Sequence, residues 1–451
     1  MRVATDFRDV PDRWYNIIPD IGFDFPPPMG SSGYPMTHHD LSPIATAPIV
    51  DQELDRSERN PAIPKELREF YVEWRPTPLF RARRFEERLD TPARIFYKHE
   101  GGSPSGSYEF NTALAQAYYA AHAGEKGTRY LVSASGNGEW GASLAVACNY
   151  FGIKCRVYMV RSSYEQREYG RYLMELLGAE VVSSPSPNTR TGKKALSQDP
   201  ESPGSLGMAL SEAFEEATTR DEAKFAWGTL MNHVVLHQTL IGLEARDQLR
   251  HGGVRPDLCI AAVGGGSGFG GLAFPLYRDR KSGIRFIAVE SAAAPTLTKG
   301  RYGWDYADWG GLAPMLRMYT LGHSFVPPDI RAGSMRYHGI SPLISALYRE
   351  KRIEARTYTQ RQAFEAAVAF ARAEGFVPSP ESSYAIKAVL DEAVACKDRG
   401  ERKNILFLLS TNTNLDVAVF KDFLEGAVED KHAPMDKIDE AISSLPAQPS
   451  V

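Results

Sequence analysis

The chain of 451 residues is long enough to form more than one hydrophobic core. Hydrophobic residues make up 43% of it and charged residues 24%, which is typical of a soluble globular protein. The net charge of −4 gives no reason to expect nucleic acid as a partner. Because no apolar run reaches the roughly 20 residues that cross a bilayer, we expect no membrane partner either.

The four cysteines and the N-terminus indicate the compartment. The cysteines lie far apart in apolar stretches, which predicts buried free thiols and a reducing cytoplasm; they are Cys148, Cys155, Cys259 and Cys396. The first 20 residues carry charges throughout and lack an apolar signal core, so no secretion signal is predicted.

Residues 1–60 are predicted to form an N-terminal arm rich in proline and aromatic residues. Proline lacks the amide hydrogen that regular structure needs, so we expect an extended segment that packs on the body of the protein. A disordered tail is the alternative, but the apolar residues Trp14, Tyr15 and Ile17 disfavour it.

Apolar strands alternate with helices through the rest of the chain. The predicted strands are residues 95–98, 130–133, 155–160, 180–182, 258–263, 286–290 and 404–409, and the helices include 111–122, 139–150 and 165–177. This order is typical of parallel sheets covered on both faces. We therefore predict a two-lobed α/β protein with an N-terminal lobe at 61–225 and a C-terminal lobe at 226–451. Ligands of such folds bind beyond the carboxyl ends of strands.

The loop after the predicted strand 258–263 is the clearest candidate for ligand binding. It contains Gly264, Gly265, Gly266 and Ser267 and leads into a helical stretch. Backbone amides without side chains can approach an anion, and a helix N-terminus adds positive potential, so the loop predicts a phosphate site. A tight strand-to-helix turn would use the same residues. The loop lacks the lysine of a nucleotide P-loop.

Two further strand-to-helix loops place glutamates, Glu109 and Glu139, in a first helical turn. A structural role would explain both, since a carboxylate there complements the helix dipole. The same dipole should keep Glu109 ionised near neutral pH, which suits a general base with Tyr108 beside it as a donor. In a fourth loop, Ser410 could hydrogen-bond a ring nitrogen or cap a turn, and capping is the commoner role for a serine in such a loop.

His233 and His237 have a spacing that can bind zinc on one helix face. The stretch is apolar and offers no third ligand. We therefore predict hydrogen-bonded histidines and no metal site.

These four loops, in this order, resemble the fold-type II pyridoxal-phosphate family, and in particular the α-subunit-independent second type of tryptophan synthase β chain. Similarity runs along nearly the whole chain, and the stretches that carry it are residues 13–17, 74–79, 158–161, 163–166, 236–239, 241–244, 319–323 and 380–382. The resemblance implies a fold of two parallel-rich sheets flanked by helices. It also implies a homodimer that needs no tryptophan synthase α subunit.

The resemblance also assigns binding residues. The cofactor-binding positions would be Gly264, Gly265, Gly266, Ser267, Ser410 and Asn111. The substrate-binding positions would be Ala134, Ser135, Gly136, Asn137, Gly138 and Glu381.

Several residues at the family's cofactor and substrate positions depart from its pattern. Where the family has a histidine and the lysine that binds the cofactor as an imine, this chain has Tyr108 and Glu109. A carboxylate cannot form an imine. The strand-end glutamate is Ala134, and the asparagine after the glycine run is Gly268. Glu139 replaces a glutamine and would repel an amino-acid carboxylate.

These departures predict an enzyme of lyase ancestry with no cofactor, although non-covalent binding of pyridoxal phosphate stays possible. Its reaction would be a proton transfer, cyclisation, condensation or elimination on a small aromatic or amino-acid-derived molecule of secondary metabolism. Glu109, Tyr108 and Glu139 would be the catalytic residues. One alternative is a pyridoxal-phosphate lyase that joins indole to serine. The other is a non-catalytic binding paralogue, a pseudoenzyme of the family.

Overall fold

The computed structural model describes residues 10–123, 128–166, 168–278, 283–412 and 417–448. The strands are β1 (Leu79–Arg81), β2 (Arg94–His99), β3 (Tyr130–Ser135), β4 (Lys154–Val160), β5 (Glu180–Ser184), β6 (Ala223–Phe225), β7 (Leu258–Ala262), β8 (Arg285–Ser291), β9 (Arg301–Tyr306), β10 (Met315–Thr320), β11 (Glu354–Tyr358) and β12 (Asn404–Leu409).

The helices of the described ranges surround these strands. They are α1 (Ile18–Ile21), α2 (His38–Leu41), α3 (Ala47–Leu54), α4 (Lys65–Val72), α5 (Arg83–Leu89), α6 (Phe110–Ala121), α7 (Glu139–Tyr150), α8 (Arg161–Gln166), α9 (Glu168–Leu176), α10 (Arg190–Gln198), α11 (Leu206–Thr219), α12 (Asn232–Gln238), α13 (Leu240–His251), α14 (Ser267–Tyr277), α15 (Thr296–Lys299), α16 (Pro342–Arg349), α17 (Gln360–Glu374), α18 (Pro380–Arg399), α19 (Val417–Leu424) and α20 (Met435–Ser443). None of these helices is long and apolar enough to cross a membrane.

Two sheets with parallel pairing form the centre of the fold. The larger has the strand order β1-β2-β12-β7-β8-β11, and only β1 runs antiparallel to its neighbour. The smaller has the order β5-β4-β3-β6 and is parallel throughout. Strands such as β12 are apolar and buried on both faces because helices cover both sides of the sheet. The predicted two-sheet α/β fold is confirmed.

Strands from the first half of the chain enter both sheets. β1 and β2 belong to the predicted N-terminal lobe, but β2 pairs in parallel with β12 and so lies in the larger sheet with strands from the second half. The first part of the chain thus contributes to both sheets. The lobes at 61–225 and 226–451 stay a prediction.

The N-terminal segment packs into the hydrophobic clusters beside both sheets. Trp14 and Tyr15 are buried in different hydrophobic clusters, and the Tyr15 amide donates to Thr239 Oγ1 at 3.0 Å. The segment is less extended than its prolines suggest, because α1, α2 and α3 all lie within it. As predicted, all four cysteines are buried free thiols.

A buried ion cluster fixes the end of β2. Arg75 contacts Glu100 at 2.9 Å and Glu244 at 2.8 Å, and Lys98 contacts Glu244 at 2.6 Å. These side chains are at most 1% exposed, and their two positive and two negative charges balance. Glu100 directly follows β2. The cluster therefore sets where the chain leaves the larger sheet for the loop that carries Glu109.

We expect Glu244→Gln to lower the free energy of unfolding by about 3–5 kcal/mol, since removing one partner leaves a buried charge uncompensated. Chemical denaturation measures this. The matched control is Glu425→Gln, whose side chain is 58% exposed and should change stability by less than about 0.5 kcal/mol. If Glu244→Gln unfolds at the same denaturant concentration as the control, the cluster does not have this role.

Candidate active site

A cavity lies where strands of the two sheets end. Gly136 and Asn137 follow β3 of the smaller sheet, whereas Gly264 and Ser410 come shortly after β7 and β12 of the larger sheet. Glu109, in the loop between β2 and α6, also lines it. The cavity is therefore built by loops at the carboxyl ends of parallel strands, where ligands of α/β proteins bind.

The glycine loop forms one end of this cavity. Gly266 precedes α14 with a left-handed φ of 96°, a conformation that favours glycine. A Cβ atom at Gly264 would clash with the carbonyl oxygen of Ser334, and one at Gly265 would clash with the hydroxyl of Thr229. The glycine loop thus lines the cavity at the start of an eleven-residue helix, where backbone amides and the helix dipole favour an anion.

Thr229 adds a side-chain donor at this end. Its Oγ1 atom is buried without a hydrogen-bond partner among the described residues, and the residue lines the cavity. A buried hydroxyl without a partner is costly in a folded protein. A ligand oxygen bound at the glycine loop would supply the missing partner.

Tyr108 reaches toward the glycine loop from the opposite side. Its hydroxyl lies 3.2 Å from Ser267 Oγ, and a Cβ atom at Gly268 would approach its ring to 3.1 Å. Gly268 thus leaves room for the ring. Burial, and then the neighbouring Glu109, raise the pKa of Tyr108. The phenol stays protonated at neutral pH and acts as a donor.

Glu109 is the buried acid of the cavity. It is 7% exposed and directly precedes α6, and its Oε2 atom has no hydrogen-bond partner in the described part of the chain. Burial, followed by repulsion from Glu381, raises the pKa of Glu109 to about 8. The prediction that the helix dipole keeps this carboxyl ionised near neutral pH is wrong, because desolvation outweighs the dipole.

Two more carboxyl groups line the same cavity. Glu381 Oε1 accepts from Asn137 Nδ2 at 3.2 Å and from the Ser334 amide at 3.4 Å. Glu139 Oε2 accepts from Thr411 Oγ1 at 3.4 Å. No lysine, arginine or histidine is among the described residues that line the cavity. The titratable side chains of the described lining are therefore all acidic.

Ser410 presents its hydroxyl to the cavity. Ser382 Oγ accepts from the Ser410 amide at 3.0 Å and from Ser379 Oγ at 3.0 Å, and it lies 2.9 Å from Ser410 Oγ. Since Ser382 accepts twice, its own proton can be donated to Ser410. The proton of Ser410 is then available to a ligand atom in the cavity.

Most of the predicted site residues line the cavity, and four lie behind its wall. The ones that line it are Tyr108, Glu109, Ala134, Gly136, Asn137, Glu139, Gly264, Gly265, Gly266, Glu381 and Ser410. Of the others, Ser267 contacts Tyr108, and Asn111 donates to Gln238 at 2.9 Å. Ser135 Oγ accepts from the Gly138 amide at 3.1 Å, so these two shape the loop. The roles of all these residues stay predictions.

The sequence did not reveal the apolar wall of the cavity. Besides Trp140, this wall contains Leu206, Leu210, Trp227 and Leu230. Trp227 follows β6, a strand of three residues that is too short to recognise from its pattern. The spacing of Leu206 and Leu210 on α11 is a helical signal, but it is also typical of core residues.

The two histidines are hydrogen-bonded within the fold. His233 Nδ1 lies 2.7 Å from Glu53, and the His237 nitrogens lie 3.0 Å from Thr112 and 2.8 Å from Gln52. Within the described ranges, no group of three His, Cys, Asp or Glu residues is arranged to hold a metal ion.

Comparison with known proteins identifies the family. The profile of the family described as pyridoxal-phosphate dependent enzymes matches residues 72–411. The chain belongs to this family. Within it, the chain is 47% identical to tryptophan synthase beta chain 2 of Methanosarcina mazei, covering 95% of this chain and 97% of that one. It is 48% identical to the protein of the same name from Aquifex aeolicus, over 94% and 98% of the two chains. It is a member of the tryptophan synthase β group.

Solved structures of low sequence identity share the fold. A threonine deaminase from the organism abbreviated T.th. has a TM-score of 0.56 and 21% identity, and the match covers 78% of this chain and 98% of that one. A fungal L-serine ammonia-lyase from Rhizomucor miehei has a TM-score of 0.59 and 16% identity, with the same coverage.

Family membership corrects part of the sequence interpretation. The prediction of an enzyme of this ancestry is confirmed. The predictions of a reaction independent of pyridoxal phosphate, of no cofactor and of a pseudoenzyme are wrong, because relatives at 47–48% identity over nearly the whole chain are tryptophan synthase β chains of a pyridoxal-phosphate family. Those predictions gave too much weight to Glu109, Ala134 and Glu139 and too little to the glycine loop and Ser410.

The cavity fits part of pyridoxal phosphate directly. The glycine loop and the unpartnered Thr229 hydroxyl suit its phosphate, and Ser410 suits its ring nitrogen. The described lining offers no amine that could bond covalently to its aldehyde.

The raised pKa of Glu109 predicts a pH dependence of stability. Between its ordinary value of 4.5 and about 8, the unfolded chain has lost this proton while the folded chain keeps it. Stability therefore falls as pH rises through this window. Glu109→Gln removes the effect, so its stability relative to the unsubstituted protein should rise by up to about 1.4 kcal/mol per pH unit. Urea unfolding at about pH 5 and about pH 8 measures the difference. Glu365→Gln, on the exposed face of α17, is the control. Parallel pH profiles for Glu109→Gln and the unsubstituted protein would contradict the assignment.

Proposed function

We propose that this protein is a pyridoxal-phosphate enzyme of the tryptophan synthase β type that holds its cofactor without a covalent bond, with Glu109 at the position of the family's lysine. One observation carries the proposal. A single cavity joins a glycine loop at a helix start, the hydroxyl of Ser410 and the buried carboxyl group of Glu109, and no lysine is among its described lining residues. The substrate is an amino acid, such as serine, whose β-substituent is replaced.

The protein groups that would hold the cofactor come from both sheets. The amides of Gly264, Gly265 and Gly266 and the hydroxyl of Thr229 would bind the phosphate. Ser410 would donate to the ring nitrogen, oriented by Ser382. Several hydrogen bonds to the phosphate and ring would supply the binding energy that a covalent bond otherwise provides.

The acid–base chemistry falls to Glu109. When bound, pyridoxal phosphate supplies an electron sink that stabilises negative charge on the substrate carbon next to the amine. The carboxyl group of Glu109 can accept and return a proton there, because a pKa of about 8 lies near the working pH of a general base. Tyr108 stays protonated and orients the bound molecules as a donor.

The apolar wall would receive the incoming nucleophile. Trp140, Leu206 and Trp227 surround a space suited to an aromatic ring such as indole. The indole nitrogen of Trp140 donates to Ser133 at 2.7 Å and so offers no polar group to this space. Ala134, at the strand end beside this wall, likewise provides no acceptor for a ring N–H group.

We also propose a cytoplasmic homodimer that works without an α subunit. The relatives named beta chain 2 and the resemblance to the α-independent clade support it. Light scattering gives the assembly state directly.

The test of the function is turnover of indole and L-serine in the presence of pyridoxal phosphate. We expect Glu109→Gln to lower kcat by about 10²–10⁴-fold, since general-base catalysis is worth this factor. Its melting temperature at neutral pH should not fall, because glutamine resembles the protonated acid and removes the destabilisation that the raised pKa of Glu109 causes.

Glu365→Gln serves as the control and should turn over at the unsubstituted rate, since the residue is exposed and lies on α17. Full activity of Glu109→Gln would show that another group moves the proton. Absence of tryptophan formation by the unsubstituted protein would contradict the proposed reaction.

A further inference from the structure

The two ends of the cavity carry opposite electrostatic character. Backbone amides of the glycine loop and the start of α14 make one end attractive to an anion. The other part is lined by the carboxyl groups of Glu109, Glu139 and Glu381. Tyr108 connects the two ends of the cavity. Its backbone precedes Glu109, and its hydroxyl lies 3.2 Å from Ser267 Oγ in the first turn of α14. A ligand that satisfies both ends has an anionic group and a cationic group.

Glu109 lacks a protein donor at a buried oxygen. Its Oε2 atom is buried without a hydrogen-bond partner among the described residues. Ionising a buried carboxyl group is unfavourable unless a positive charge pairs with it. No lysine, arginine or histidine of the described lining supplies that charge. The ligand itself can supply it.

We propose that Glu109 pairs with a positively charged nitrogen of the ligand, so that this cavity binds the amine form of the cofactor, pyridoxamine 5′-phosphate, more tightly than the aldehyde form, pyridoxal 5′-phosphate. This inference rests on the proposed function, in which the phosphate binds at the glycine loop. The two forms share the phosphate and the ring and differ in the group beside the ring. The ammonium of the amine form can pair with Glu109, whereas the aldehyde oxygen cannot.

Pairing with an ammonium changes the protonation of Glu109. The titratable groups that line the cavity with it are Glu381 on α18, Glu139 on α7 and Tyr108 on its own loop, and none of them is cationic. In the free protein Glu109 keeps its proton up to about pH 8. Binding the ammonium requires the ionised carboxylate, so binding below that pH releases a proton. The affinity for the amine form should therefore rise as pH increases toward 8.

Isothermal titration calorimetry of the full chain with each of the two compounds tests the inference. We expect pyridoxamine 5′-phosphate to bind about 10- to 100-fold more tightly at neutral pH, the factor that a charge-assisted hydrogen bond contributes. Titrations in two buffers of different ionisation enthalpy should show a proton released with the amine form and none with the aldehyde form. This readout needs no substituted protein.

Three variants locate the effect. Glu109→Gln should remove the preference for the amine form, so that the two dissociation constants become equal. Glu109→Asp keeps a carboxyl group and should keep part of that preference. Thr229→Val changes the phosphate end of the cavity. It should weaken the binding of both compounds by the same factor and leave the ratio of their dissociation constants unchanged. As a control beside these three, Glu365→Gln is exposed on α17 and should change neither constant.

The outcomes separate this inference from the proposed function. Equal affinities for the two compounds, or a preference that survives in Glu109→Gln, would overturn the inference and leave the cofactor site standing. If neither compound binds, the proposed function fails together with it.

Discussion

A carboxyl group buried beside a second carboxyl group, with no basic side chain in the described lining, governs the chemistry of this site. Glu109 lies in the cavity with Glu381 and keeps its proton to about pH 8. Desolvation and like-charge repulsion act in the same direction here, and the dipole of α6 is too weak to oppose them. The raised pKa of Glu109 follows from this arrangement.

The fold makes such an arrangement possible by bringing distant loops together. Glu109 follows β2, whose end is fixed by the ion cluster of Arg75, Lys98, Glu100 and Glu244. The glycine loop follows β7 in the same sheet. The cavity also needs the loop after β3 of the smaller sheet, so both sheets must be in place before the site exists.

The sequence predicted the features that depend on local pattern. Runs of apolar residues located β12, and the predicted helix 139–150 has the same bounds as α7. The glycine loop was predicted to be a phosphate site because its residue types allow the close approach of backbone amides. The longer stretches of family resemblance predicted the two-sheet architecture.

Properties that depend on tertiary contacts were beyond the sequence. The charge state of Glu109 was predicted wrongly because Glu381 and the burial of the loop are visible only in the folded chain. Thr229 was missed because its role depends on contact with Gly265 and on lacking a partner among the described residues. The loss of the cofactor was inferred from substitutions in the cavity, but substitutions at one end of a site do not determine what the other end binds.

The central claim is that this cavity holds pyridoxal phosphate through its glycine loop and Ser410, with Glu109 facing the cofactor and no bond to the protein. A crystal structure of the protein grown with pyridoxal phosphate tests it most directly. We expect density for the phosphate on the amides of Gly264, Gly265 and Gly266, the ring nitrogen at Ser410, and no continuous density from the aldehyde carbon to a side chain. Continuous density between that carbon and a lysine, or a phosphate bound away from the glycine loop, would contradict the account.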